Sequence, residues 1–289
     1  MNTSKGNKFS TVLKAFGILL AFMALLNLIV MVIGGAQTIL AVANGVVAND
    51  QIELTNYFIS TMAVAQFIAE IICIVVLGFW YYKAFVKKAK SQGTYESGFK
   101  KIASIKDIAF IVSMTLTFYF LDSVIASVVM TLVPGSGELF GTLMNSITSG
   151  NVIAGMLTVM LLGPIAEELA FRGVMLQTTK KGFGIVGCIV VTAIMFGIMH
   201  MNPVQSIYAI PIGAALAFIA YKYNSLVPAM IAHVLNNSLS VILSKLVSEL
   251  NEVVCVVMIV VFGALSIFLY KQLPARQEKT TEQDSRISA

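Results

Sequence analysis

Charged residues are scarce in this 289-residue sequence, at 11% of the chain, against about 25% in an ordinary soluble domain. There are only two histidines, one tryptophan and three cysteines. Cys73, Cys188 and Cys255 lie far apart inside apolar runs, with no CxxC spacing. They therefore read as small core residues rather than as a disulfide framework or ligand set. Apart from a polar tail, no stretch between apolar runs is long enough to fold into a soluble domain of its own. Any chemistry must then take place within or beside a bilayer.

What is abundant is apolar sequence: 58% of residues are hydrophobic and the mean hydropathy is +0.88. Several runs approach the roughly 20 residues that carry a helix across the hydrocarbon core. Eight spans are predicted, at 15–34, 57–80, 107–132, 151–179, 184–201, 204–221, 226–245 and 253–270. The first is too long for the core of a cleaved signal peptide, despite the Lys5, Lys8 and Lys14 before it. The expected architecture is an all-α polytopic membrane bundle of about eight helices with both termini cytoplasmic. The expected organisation is an N-terminal three-helix region (1–150), a helical core (151–245), a last span (246–270) and a polar tail (271–289) of a composition that does not fold alone.

The net charge of +5 does not point to nucleic acid, because the basic residues lie mostly at the termini and in short loops between spans. Layout by the positive-inside rule puts 18 of the 19 Lys and Arg on one side, leaving only Lys245 on the other. Membrane lipid and a membrane-associated peptide or protein are the expected partners.

An ionisable group deep in a membrane costs several kcal/mol unless paired or hydrated, so each is a functional candidate. The candidates are Glu70, Asp122, Glu167, Glu168, Arg172, His200 and His233. In Pro164-Ile165-Ala166-Glu167-Glu168-Leu169-Ala170-Phe171-Arg172, Glu168 and Arg172 stand at i and i+4 with the acid first, the favourable order for a helical ion pair. That pairing neutralises one acid and leaves Glu167 on a neighbouring face. Phe196 and His200 lie one turn apart, so the ring can wall the imidazole against lipid. His233 and Asn237 are likewise one turn apart, with Asn236 a rival partner, and an imidazole beside an amide can hydrogen-bond a carbonyl or its oxyanion. Counting 1.5 Å per residue from the helix ends puts Glu167, His200, His233 and Asn237 near mid-membrane. Taken one at a time, these groups also suit interhelical polar clamps. Glu70 and Asp122 have no evident partner.

The ordered series EExxxR, FxxxH and HxxxN, from Pro164 to Asn237, resembles the CPBP family, which groups type II CAAX prenyl endopeptidases with Abi-like and bacteriocin-immunity proteins. The resemblance implies an intramembrane endopeptidase. Glu167 would activate water with help from His200, His233 and Asn237 would stabilise the oxyanion, and Glu168, Arg172 and Phe196 would support the site. Zinc, held by Glu167, His200 and His233, is the metal alternative. Other intramembrane protease classes fit poorly, since HExxH and GxGD are absent and Gly135-Ser136-Gly137 follows Pro134 in an outer loop. A non-catalytic immunity or scaffold protein, and more weakly a transporter, are the competing classes. A bacterial plasma membrane is the expected location.

Overall fold

The computed structural model describes residues 7–47, 50–148, 150–246 and 251–274. The rest of the polar tail and part of the connection containing Glu249 lie outside them. Among the described residues there are nine helices and no strands. They are α1 (Lys8–Ala43), α2 (Gln51–Ser91), α3 (Ile105–Leu132), α4 (Ser136–Thr148), α5 (Val152–Thr179), α6 (Ile185–Met199), α7 (Pro203–Tyr223), α8 (Val227–Leu246) and α9 (Glu252–Gln272).

Six of these helices are long and apolar enough to cross a membrane, and all eight expected spans are helical. Helix boundaries follow local chemistry. Asp50 accepts hydrogen bonds from the backbone N–H groups of Ile52 and Glu53 and starts α2. Ser104 and Asp107 form a reciprocal capping box at the start of α3. Asn202 Oδ1 accepts from Gln205 N at 2.9 Å and starts α7. Asn224, left-handed at φ 44°, ends it. The first helix overruns the expected 15–34 at both ends, continuing through Gly34-Gly35 as far as Ala43.

The structure corrects the sequence expectation in three places. The region after Pro134, read as an outer loop, contains the additional helix α4. The fourth expected span is not a regular α-helix: α5 widens to π geometry at Thr158–Leu162 and again at Leu169–Met175, on either side of the paired glutamates. The expected span 184–201 is cut short, since α6 has 15 residues, about 22 Å of rise against a core of roughly 30 Å. Its end is a tight turn in which Met201 takes φ 51° and Asn202 Nδ2 donates to the His200 carbonyl at 3.0 Å. His200 thus sits at a helix end inside the bundle.

The turns sort into two ends. At one end, Gly182 packs on Thr11, Gly98 on Ser225 and Val227, and Tyr223 Oη donates to Asp107 Oδ1 at 2.9 Å. There too, Lys222 lies 4.2 Å from the Tyr270 ring centroid. At the other end, Gly150 abuts the Ser60 carbonyl and Ser127 Oγ donates to Glu252 Oε1 at 2.7 Å. This is the alternation that the basic residues imply. The main core joins α1, α2, α3 and α5 through α9 around buried Phe22, Phe171, Met175, Phe196 and Leu216.

The close approach of α6 to α7 runs through Gly197, where an added Cβ would lie 2.6 Å from the Ser206 carbonyl oxygen. Replacing Gly197 by Ala must therefore push α6 off α7 at the turn that carries His200. Thermal unfolding in detergent should show a loss of about 1–3 kcal/mol. Gly17→Ala, with open space around its Cβ, is the control expected to hold or gain stability.

Candidate active site

The helix of the paired glutamates is irregular for a reason that the sequence contains. Across the first π segment, Gly163 N bonds back five residues to the Thr158 carbonyl. The next amide in that register belongs to Pro164, which has no N–H, so the Val159 carbonyl is left without a helical donor. Asn237 Nδ2, from α8, donates to it at 3.1 Å. One member of the HxxxN pair is therefore bound to the backbone just upstream of the glutamates. The second N–H of that amide stays available.

Two turns along, the wholly buried Glu168 and Arg172 form the expected ion pair, with Nη1 to Oε1 at 2.7 Å. Arg172 Nη2 donates to the Gly213 carbonyl of α7 at 2.8 Å, and the guanidinium carbon lies 4.7 Å from the Phe196 ring centroid. The same Glu168 oxygen takes a hydrogen bond from His233 Nδ1 at 2.9 Å. Glu168 thus does more than balance Arg172. It holds the His233 ring and places the Nδ1 proton, so Nε2 points the other way, to within 3.6 Å of Glu167 Oε2.

His200 is oriented by its own helix. Its Nδ1 lies 2.9 Å from the Phe196 carbonyl oxygen; a carbonyl only accepts, so Nδ1 carries the proton and Nε2 offers a lone pair. The Phe196 ring meets His200 at 5.1 Å and His233 at 5.6 Å, both edge to face, and also packs edge to face on Phe171 at 5.1 Å. Phe196 was expected to shield one imidazole from lipid, and it is packed against both. Its room comes partly from Gly213, where a Cβ would stand 3.0 Å from the ring.

The arrangement brings Glu167, Glu168, Arg172, His233, Phe196 and His200 into one contiguous cluster, with Asn237 fixed to α5 one turn along from His233. Asn236 is the more buried of the two amides, and its Oδ1 has no protein partner. Glu70 and Asp122, without a charged partner by helical spacing, come near the cluster from other helices. Glu70, on α2, lies within electrostatic range of Glu167, and Tyr208 of α7 is within range of both Asp122 and Glu167. Helical spacing relates residues only within one helix, so no signal in the sequence joins α2 or α3 to the motifs of α5. Gly213 and Val159 were missed because they act through backbone carbonyls.

Metal ligation asks for at least three converging donors. Among the described residues, no group of three His, Cys, Asp or Glu side chains is placed to hold an ion. Glu167 and His233 approach one another, and His200 keeps its Nε2 free while its Nδ1 faces the Phe196 carbonyl.

Removing Arg172 leaves the Glu168 charge buried with only His233 beside it. Arg172→Met should cost about 3–5 kcal/mol in unfolding in detergent, and the double change with Glu168→Leu should recover part of that loss. A double loss equal to the sum of the two single losses would show that the pair is uncoupled.

Residues 149–239 match the family model described as type II CAAX prenyl endopeptidase, Rce1-like. No curated protein and no solved structure matches the chain. The matched stretch contains EExxxR, FxxxH and HxxxN and runs from the start of α5 into α8, the helices that build the cluster. Over residues 149–239, about a third of its length, the chain is thus similar to the Rce1-like type II CAAX prenyl endopeptidases.

Proposed function

We propose that this protein is an intramembrane endopeptidase in which Glu167 activates water to cut a peptide bond of a membrane-associated peptide or protein. The observation that carries the reading is the second carboxylate. Glu168 Oε1 is engaged by both Arg172 and His233, while Glu167 forms no ion pair closer than 3.6 Å and keeps 19% of its side chain accessible. A scaffold would need the Glu168–Arg172–His233 tie and the Asn237 clamp. It would have no need of Glu167 beside them.

In the proposed reaction, Glu167 takes a proton from water as the water oxygen bonds to the scissile carbonyl carbon and the carbonyl π pair moves to oxygen. His200, whose Nε2 keeps a lone pair, assists Glu167 in proton transfer. The oxyanion is met by the second Asn237 N–H and by a proton on His233 Nε2, the nitrogen opposite the one that Glu168 holds. Collapse breaks the C–N bond, and the departing amine takes the proton held by Glu167. Glu168, Arg172 and Phe196 touch no reacting atom in this scheme; they hold His233 in place.

An apolar groove of about 460 Å³ opens between α5 and α8 along Met156, Met160, Leu161 and Val234. Val234 follows His233, and Met160 and Leu161 lie in the first π segment, so the groove runs beside the cluster. It suits the apolar part of a substrate arriving through the lipid. With the basic end of the bundle facing the cytoplasm, cleavage falls toward the cytoplasmic leaflet.

The test uses inverted membrane vesicles carrying wild type or Glu167→Gln at matched, folded levels, with a membrane-anchored peptide library that includes prenylated CAAX members. Wild type should cleave at least one class, and the variant should be slower by about 10²–10⁴-fold. Equal rates would remove Glu167 from the mechanism. Loss of wild-type activity to a chelator, restored by zinc, would overturn the metal-free scheme.

A further inference from the structure

The strongest unassigned group in the molecule is a carboxylate outside the matched stretch. Glu70 is 3% exposed, in the middle of α2. Its Oε1 accepts a single hydrogen bond, from Gln66 Nε2 at 3.3 Å, and its Oε2 is buried with no protein partner. Nearly all buried polar atoms in folded proteins find a partner, and water is the usual one when the protein supplies none.

The other oxygen of Glu70, Oε1, borders the space over Gly163. An atom at the position of a Gly163 Cβ would lie 3.9 Å from Glu70 Oε1, 3.9 Å from Glu167 Oε1 and 3.1 Å from the Thr158 carbonyl oxygen. The Thr158 hydroxyl is also buried without a partner. A buried water needs two to four polar partners and room to sit. Glycine supplies the room, and the two carboxylates can each accept one O–H of a water there.

We infer that Glu70 and Glu167 together seat the water over Gly163 that the reaction consumes, with Glu70 as a positioning residue contributed by the N-terminal helices. The reading rests on the proposed peptidase function and adds a residue to it. Glu167 and Glu70 then accept the two O–H groups of one water, which leaves its lone pairs free to face the scissile carbonyl. The hydrolytic step keeps its balance, with the proton leaving water for Glu167 and returning to the departing amine. Glu70 takes no proton and breaks no bond.

Two measurements test this. In the first, an experimental structure of the full-length protein at a resolution that shows waters is compared for wild type and Gly163→Ala. Wild type should hold a water within hydrogen-bond distance of both carboxylates, and the variant should lack it; a dry space in wild type overturns the inference whether or not the protein cleaves any peptide. In the second, the activity assay is run on Glu70→Leu and Glu70→Gln. The leucine variant removes a buried acid and should stay folded, with kcat down about a hundredfold and KM within about twofold. Glutamine keeps an acceptor oxygen and should restore most of kcat. Full kcat in the leucine variant, no rescue by glutamine, or a change confined to KM would each overturn the role of Glu70. If wild type cleaves nothing while the water is present, the peptidase reading fails and so does the role in hydrolysis assigned to Glu70.

Discussion

A single carboxylate oxygen, Oε1 of Glu168, receives both a guanidinium N–H from its own helix and an imidazole N–H from α8, and the guanidinium continues to a backbone carbonyl of α7. Helices α5, α7 and α8 are thereby pinned at one depth and one rotation. Apolar packing in lipid gives little directional preference, since lipid tails are as apolar as leucine. A buried ion pair gives directional preference, at a desolvation cost that is offset only if its geometry is good and its remaining donors are used. The two Arg172 nitrogens that bond and the Phe196 face beneath the guanidinium meet that condition. The unpartnered Nε and Glu168 Oε2 mark where it is met incompletely.

Most of the cluster follows from this tie. His233 is turned so that its second nitrogen faces Glu167. Phe196, pressed against the guanidinium, carries the carbonyl that orients His200 and a ring that touches both imidazoles. The departures from regular helix serve the same end. Pro164 strips a donor from the π segment, and the orphaned Val159 carbonyl becomes the anchor for Asn237. A regular α5 with any other residue at position 164 would have no such anchor to offer.

The eight apolar spans, the segregation of basic residues and the residues of the central cluster were legible in the sequence, because hydropathy, charge placement and i to i+4 spacing are local properties. The Glu168–Arg172 pair was legible for the same reason. Helix α4 was not, since 13 residues mixing Gly, Ser and Asn with apolar side chains fall below any membrane-span pattern. The π segments were invisible because a register change alters backbone bonding without altering composition. Glu70, Asp122 and Tyr208 went unplaced because their neighbours lie on other helices, and a single chain carries no record of which helices meet. The bond from His233 to Glu168, which changes the meaning of both residues, is another long-range contact of that kind.

Because the chain has only two histidines, ¹⁵N-histidine labelling resolves the centre of this account directly. In wild-type protein in detergent or bilayers, both imidazoles should carry a proton on Nδ1, in His200 bonded to the Phe196 carbonyl and in His233 bonded to Glu168. Substituting Glu168→Gln should change the His233 resonances and leave those of His200 in place. An Nδ1 of His233 that carries no proton in wild type, or one indifferent to Glu168, would contradict the carboxylate tie on which the site depends.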